Sequence, residues 1–342
     1  MANSHSFTLL FTLFSYLSSF HFSSASSSPA IASDQLRFWS QNVNNKMPEP
    51  ILKKLSPLSK NDYEYYSNVV LPRNGKFSAD SHFCSLAKLF CTSAAAAGKS
   101  VKKNTYTKEN TYSNSASLDQ VKGSEDPFSF FRVSTLKSGN LVHLPNLEET
   151  LPDRTFLPPQ IVSSIPLTYE GITEAFPESG VSPTKETIQT TLAYCNAAAL
   201  EGETKSCPKS LEEMVGFAEE ALGGTTLLAL TSKNTRGSDS EMVIGKMKQY
   251  RATKIVACHE AFLPFAAYFC HSLSSSRLYA VEVVDPKAGA AVNTMLAICH
   301  MDTSAWPKDH VAFEILKFGP GEGEACHWFT QLDLAWIGNE SG

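Results

Sequence analysis

The sequence predicts an α+β fold, with helices packed against a mostly antiparallel, disulfide-linked sheet. Three observations carry this expectation. Residues 184–197 and 210–222 have helical apolar periods. From Thr225 onward the chain turns to short alternating runs broken by Gly, Pro, Asn and Ser, the pattern of strands joined by turns. Within that strand-like text the dipeptide Cys-His occurs four times, at Cys258-His259, Cys270-His271, Cys299-His300 and Cys326-His327, with gaps of 10, 27 and 25 residues.

The elements follow in order. Phe7 to Phe22 is apolar and uncharged, and small residues follow it, so residues 1–25 read as a secretory signal, although no Lys or Arg precedes the apolar run. The run is too short and too Ser-rich for a membrane anchor. Residues 26–97 form an N-terminal region in which Leu36, Phe38, Trp39, Ile51 and Leu52 show no long helical period; a packed appendage and a loosely folded pro-segment are both open. Cys84 and Cys91 are close enough in sequence to pair locally. Residues 98–127, rich in Ser, Asn, Lys and Thr, bury no core and read as a polar linker.

Residues 128–342 form the main domain. Its proline-rich breaks, "LPDRTFLPPQ" and "SSIPLT", predict extended chain and edge strands. Ser210 and Glu213 have the spacing of a capping box, and Gly223-Gly224 stops the helix they begin. Strands are expected within 225–232, 241–262, 277–285 and 311–318, with turns at 285–289 and 319–323.

A net charge of −5 gives no electrostatic case for nucleic acid, and no run outside the N-terminus approaches membrane-spanning length. Secretion would place eight cysteines in an oxidising compartment, which implies disulfides; spacing does not choose the pairing. Neighbouring side chains on a strand point to opposite faces, so each Cys-His pair sends its Cys one way and its His the other. Four cysteines would then cross-link one side of the sheet while His259, His271, His300 and His327 line the other. Imidazole suits copper and zinc alike, and Asp302, His310 and Asp333 are available as further ligands or as acceptors behind them. The competing reading makes each His a hydrogen-bonded core residue. Asn339 begins an N-glycosylation sequon, and Trp306, Trp328 and Trp336 suit packing better than sugar stacking. No Gly-x-Ser-x-Gly elbow occurs, and nothing marks the paired carboxylates of a glycosidase.

The four-fold Cys-His spacing, with "ACHEAFLPFAAYFCH", "ICHMDTSAW" and "ACHWFTQLDLAW", resembles the signature of the plant BURP domain, whose opening Phe-Phe pair matches Phe130-Phe131. The resemblance implies that Cys195 and Cys207 are structural, and it favours copper, since some members are copper-dependent. Residues 38–58 resemble the start of polygalacturonase non-catalytic (beta) subunits, without the Phe-x-x-Tyr array that normally follows. Asp333 stands where many BURP proteins carry a further His, which resembles the same subgroup. The implied function is a secreted cell-wall protein of the apoplast, a non-catalytic partner of polygalacturonase, pectic polysaccharide or both. The alternative implied by other family members is a copper-dependent cyclase that cross-links a Trp or Tyr in a core peptide, here Gln35 to Trp39.

Overall fold

The computed structural model describes residues 30–70, 77, 81–91, 130–145, 147, 151–180, 184–224, 226–233 and 239–338. The signal segment 1–25, the linker 98–127 and Asn339 lie outside the described residues. In chain order the helices are α1 (Ala30–Asn42), α2 (Glu49–Leu52), α3 (Lys60–Tyr65), α4 (Ser81–Leu86), α5 (Pro159–Val162), α6 (Tyr169–Ala175), α7 (Thr184–Asn196), α8 (Leu211–Leu222) and α9 (Val311–Leu316). The strands are β1 (Phe130–Phe131), β2 (Leu141–Leu144), β3 (Glu203–Ser206), β4 (Leu227–Leu230), β5 (Ser240–Gln249), β6 (Ile255–Phe262), β7 (Ala266–Leu273), β8 (Ser276–Val284), β9 (Ala291–His300), β10 (Ala325–Trp328) and β11 (Leu334–Gly338).

The strands form two antiparallel sheets rather than one, with orders β3-β7-β6-β11-β4 and β1-β10-β9-β8-β5-β2. The period of two along each strand sorts the side chains. Ile255, Ala257, Ala335 and Ile337 of the first sheet meet Leu278, Leu296 and Ile298 of the second in a shared inner core. The outer face of the first sheet, with Val256, Cys258, Cys270 and Trp336, is covered by α1 and α8. The outer face of the second carries Phe131, Val142, Val281, Val283, Met295, Cys299, Cys326 and Trp328, with Leu136 packed among them.

α8 shows how local sequence sets an element. Ser210 Oγ accepts from the Glu213 amide at 3.1 Å, and Gly223 takes the left-handed turn at φ 82 that ends the helix. The Glu213 carboxylate accepts from the Lys209 amide at 2.7 Å, one residue before the cap. Leu211, Met214, Val215, Ala218 and Leu222 form the stripe that this helix buries.

Two expectations are corrected, and one left open is resolved. Residues 311–318 contain a helix, not a strand: His310 Nδ1 accepts from the Ala312 amide at 3.2 Å, and the helix this starts buries Ala312 and Phe313. Pro158-Pro159 opens α5, not an edge strand, because Pro at the first helical position loses no hydrogen bond. The N-terminal region is built into the domain. Its α1 buries Ile31, Ala32, Gln35 and Trp39, a helical stripe disguised in the sequence by the polar Gln35, whose Oε1 accepts from the Ser56 amide at 2.8 Å. Trp39 packs at 5.5 Å from Trp336. Asn44 and Asn45 hydrogen-bond along β4, the last strand of its sheet, and so cover that edge. Beneath this layer, Lys54 and Arg154 both bond Glu260 Oε1, each at 2.6 Å.

Candidate functional site

The strand register builds the site. β6 and β7 pair with Cys258 opposite Cys270, and β9 and β10 with Cys299 opposite Cys326. In an antiparallel ladder, the residues that follow two opposed cysteines lie on the other face and on either side of the cysteine row. Thus His259 sits opposite Phe269 and His271 opposite Ala257; in the second sheet His327 sits opposite Ile298 and His300 opposite Ala325. Each sheet therefore presents a diagonal pair of imidazoles to its inner face, and the facing sheets close the pairs into a ring. Ring centroids are 5.6 Å apart for His259–His271, 5.9 Å for His271–His300, 5.6 Å for His300–His327 and 5.5 Å for His327–His259.

The expected single sheet with one cysteine side and one histidine side is corrected here. Cysteine and histidine do alternate faces, but the histidines come from two sheets and meet between them. The cysteines lie on two opposite outer faces, one bridge to each: Cys258–Cys270 and Cys299–Cys326. Cys84–Cys91 closes the loop after α4, and Cys195–Cys207 ties the end of α7 to the chain after β3. All eight cysteines are thereby bridged, so none is a metal ligand.

Each imidazole is held at Nδ1. Asp333 Oδ1 lies 3.3 Å from His259, Glu203 Oε1 3.3 Å from His271, and Ser276 Oγ 3.1 Å from His300; His327 Nδ1 donates to the Trp328 carbonyl at 3.2 Å. The two carboxylate contacts are ion-pair approaches rather than well-directed hydrogen bonds. An aromatic ring backs each histidine: Phe329 on His259 at 5.7 Å, Phe269 on His271 at 5.2 Å, Trp306 by His300 at 5.4 Å and Phe130 by His327 at 5.9 Å. Phe130 and Phe131 repeat the alternation, with Phe131 turned outward to Trp328 at 4.8 Å.

Burial disfavours the charged form of three of the rings. It lowers His271, it lowers His300 well below the ordinary range with the other imidazoles adding to the effect, and it brings His327 to about 3. Burial by itself would raise the Asp333 carboxyl, yet His259 and the Thr330 amide hold it below the usual carboxylate range.

Of the further candidates, Asp333 is behind His259 rather than in the ring. His310 is buried against Trp306 at 4.3 Å, its Nδ1 taken by the α9 cap, and burial lowers it to about 4. Asp302 is exposed and accepts from the Ser304 amide at 2.9 Å, whereas the four ring histidines are buried. Trp306, Trp328 and Trp336 are all buried. Glu203 and Ser276 escaped sequence reasoning, because only the pairing of β3 with β7 and of β8 with β9 brings them to the histidines.

By ligand chemistry alone, a set of four imidazoles suits a metal ion. Imidazoles approached at Nδ1 leave Nε2 as the ligating atom, and the buried Nε2 of His271 has no hydrogen-bond partner. As the rings stand, with neighbouring centroids 5.5 to 5.9 Å apart, no group of three His, Cys, Asp or Glu side chains among the described residues could hold a metal ion. Residues Gln35 to Trp39, the stretch resembling a cyclisation core, lie inside α1 with Gln35 and Trp39 both buried. They would have to leave the fold to react.

Residues 129–338 match the family model described as "BURP domain". The chain is 36% identical over 234 residues to "Polygalacturonase-1 non-catalytic subunit beta" of Solanum lycopersicum, covering 65% of this chain and 37% of that relative. It is 38% identical over 217 residues to "Polygalacturonase 1 beta-like protein 1" of Arabidopsis thaliana, covering 62% of this chain and 35% of that protein. "BURP domain-containing protein 16" of Oryza sativa subsp. japonica is 31% identical over 348 residues, covering 98% of both chains. The alignments to the tomato and Arabidopsis proteins thus span little more than a third of their length.

Proposed function

The chain belongs to the BURP-domain family, and from that premise we propose that it is a secreted cell-wall protein acting as a non-catalytic partner of polygalacturonase. The observation that carries this reading is the kinship, across the domain, with relatives named as non-catalytic subunits of that enzyme. The chemistry of the fold is consistent with it. The buried carboxylates Glu203, Glu260 and Asp333 are each engaged by an imidazole or a cation, whereas glycoside hydrolysis needs carboxylates placed on a sugar. Four disulfides suit an oxidising, extracellular setting.

The second part of the proposal concerns the histidine ring. His259, His271, His300 and His327 would hold copper through Nε2, with Asp333, Glu203, Ser276 and the Trp328 carbonyl orienting them. Copper bound there supplies a redox-active Lewis acid. In a non-catalytic protein the ring's own contribution is mechanical: two ligands from each sheet make the ion a clasp across the sandwich, and binding to the native state alone stabilises it.

Two measurements test the two parts. Elemental analysis of the secreted, copper-loaded protein should find metal that disappears when the four histidines are changed to alanine; equal metal in both, or none in either, sinks the metal proposal. Affinity capture of polygalacturonase from cell-wall extract by the tagged full chain tests the partner role, and failure to retain the enzyme removes it.

A further inference from the structure

A groove of about 1000 Å³ runs between the N-terminal layer and the loops at 151–155, 231–233 and 331–332. Its charge is opposite to that of the whole chain. Lys53, Lys54, Lys88, Arg154 and Lys233 line it, against Glu49 and Asp153 on its surface and Glu260 beneath, so five cations face three carboxylates. The chain as a whole carries −5.

The imbalance is sharpest at the floor. Lys54 and Arg154 are buried, and both draw on the same oxygen, Glu260 Oε1. Two buried cations therefore share one carboxylate; Arg154 Nε and Glu260 Oε2 both lack a hydrogen-bond partner, and the Arg154 guanidinium also donates to the Pro152 carbonyl and lies over the Phe262 ring. By formal charge the floor carries two cations to one carboxylate, which leaves its field positive toward the groove. Of the exposed cations, Lys53 is held by Glu49 at 2.7 Å. Lys88 and Lys233 are exposed and, among the described residues, make no ion pair. Lys88 sits in the loop closed by Cys84–Cys91 and takes a left-handed backbone, φ 47, a conformation that a long side chain adopts at a cost. Leu36 and the partly exposed Leu52 give the groove an apolar strip between the charges.

We propose that this groove binds an acidic oligosaccharide, an oligomer of galacturonate, with Lys88 and Lys233 meeting its carboxylates and Arg154 and Lys54 supplying the positive floor. A galacturonate chain carries one carboxylate on each sugar and apolar C–H faces between them, which match spaced cations on an apolar strip. The inference rests on the polygalacturonase-partner reading, which makes this polymer the nearest polyanion; it gives the N-terminal layer the task of forming one wall of the site.

Isothermal titration of the full chain with a size-defined galacturonate oligomer tests it, with the methyl-esterified oligomer and a neutral glucan oligomer as controls. The expected result is saturable binding to the acidic oligomer alone, weakened by salt, and reduced about tenfold or more in Lys88→Glu/Lys233→Glu. That variant changes exposed side chains and should unfold at the wild-type temperature. Undiminished affinity in the variant, equal binding of the esterified oligomer, or no binding would each overturn the proposal. Polygalacturonase capture with the same variant separates the two readings. Capture retained without oligomer binding refutes the groove alone; oligomer binding without capture refutes the enzyme partnership and leaves the groove.

Discussion

Replacing Glu260 with alanine isolates the energetics that fasten the N-terminal layer to the domain. The side chains of Lys54, Glu260 and Arg154 are 7%, 1% and 0% exposed, and both ion pairs measure 2.6 Å. Water therefore screens neither, and losing the carboxylate leaves two like charges buried side by side. Breaking a buried pair from one side costs about 3–5 kcal/mol, a sizeable part of the roughly 5–15 kcal/mol that separates folded from unfolded protein. For a domain of this size that corresponds to a fall in Tm of roughly 10 °C. The pair Lys53–Glu49 supplies the control: it has the same chemistry at 2.7 Å, but its side chains are 72% and 76% exposed. Glu49→Ala should leave Tm unchanged, since solvent-exposed pairs contribute little. Differential scanning calorimetry of both variants decides it. If Glu260→Ala melts with the wild type, or no lower than Glu49→Ala, the claim that this charge cluster fastens the N-terminal layer is wrong. Limited proteolysis adds a readout of place: residues 30–57 of Glu260→Ala should be cut before the sheets.

Three further outcomes are expected. Trp39→Ala, which removes a buried ring packed on Trp336, should cost about 3–5 kcal/mol by urea unfolding; no loss would mean that α1 is dispensable to the domain. Cys258→Ser with Cys270→Ser opens a bridge of sequence separation 12 and should cost about 2–4 kcal/mol, while an unchanged midpoint would show that strand pairing alone holds the β6–β7 register. The neutral state of His310 gives a pH dependence. Burial lowers its pKa from 6.5 to about 4, so as pH falls the unfolded chain takes up the proton first. The stability this group contributes at neutral pH is lost between about pH 6.5 and 4, by roughly 3 kcal/mol. His310→Asn keeps an acceptor for the Ala312 amide and does not titrate, so it should flatten this part of the profile; an unaltered profile would refute the assignment.

Much of the local architecture was legible in the sequence, because each signal for it lies within a few residues. Ser210, Glu213 and Gly223 mark both ends of α8 through groups one turn apart. α1 was hidden for an equally local reason, since its buried stripe passes through Gln35. Residues 311–318 misled because a short apolar run fits either period, and only the His310 cap made it helical.

By itself, the sequence determined that cysteine and histidine would face opposite ways, because alternation is a property of a single strand, and the repeated dipeptide carried the family identity. Tertiary structure decided that there are two sheets, that their inner faces meet, and that four histidines scattered along the chain close into one ring. It also chose the acceptors behind that ring, Glu203, Ser276 and Asp333, and set Lys54 on Glu260 across a separation of 206 residues. Those partnerships depend on strand order and sheet packing. Both are settled by burying the apolar faces of distant segments together, and no periodicity within one segment encodes which distant segment it will meet.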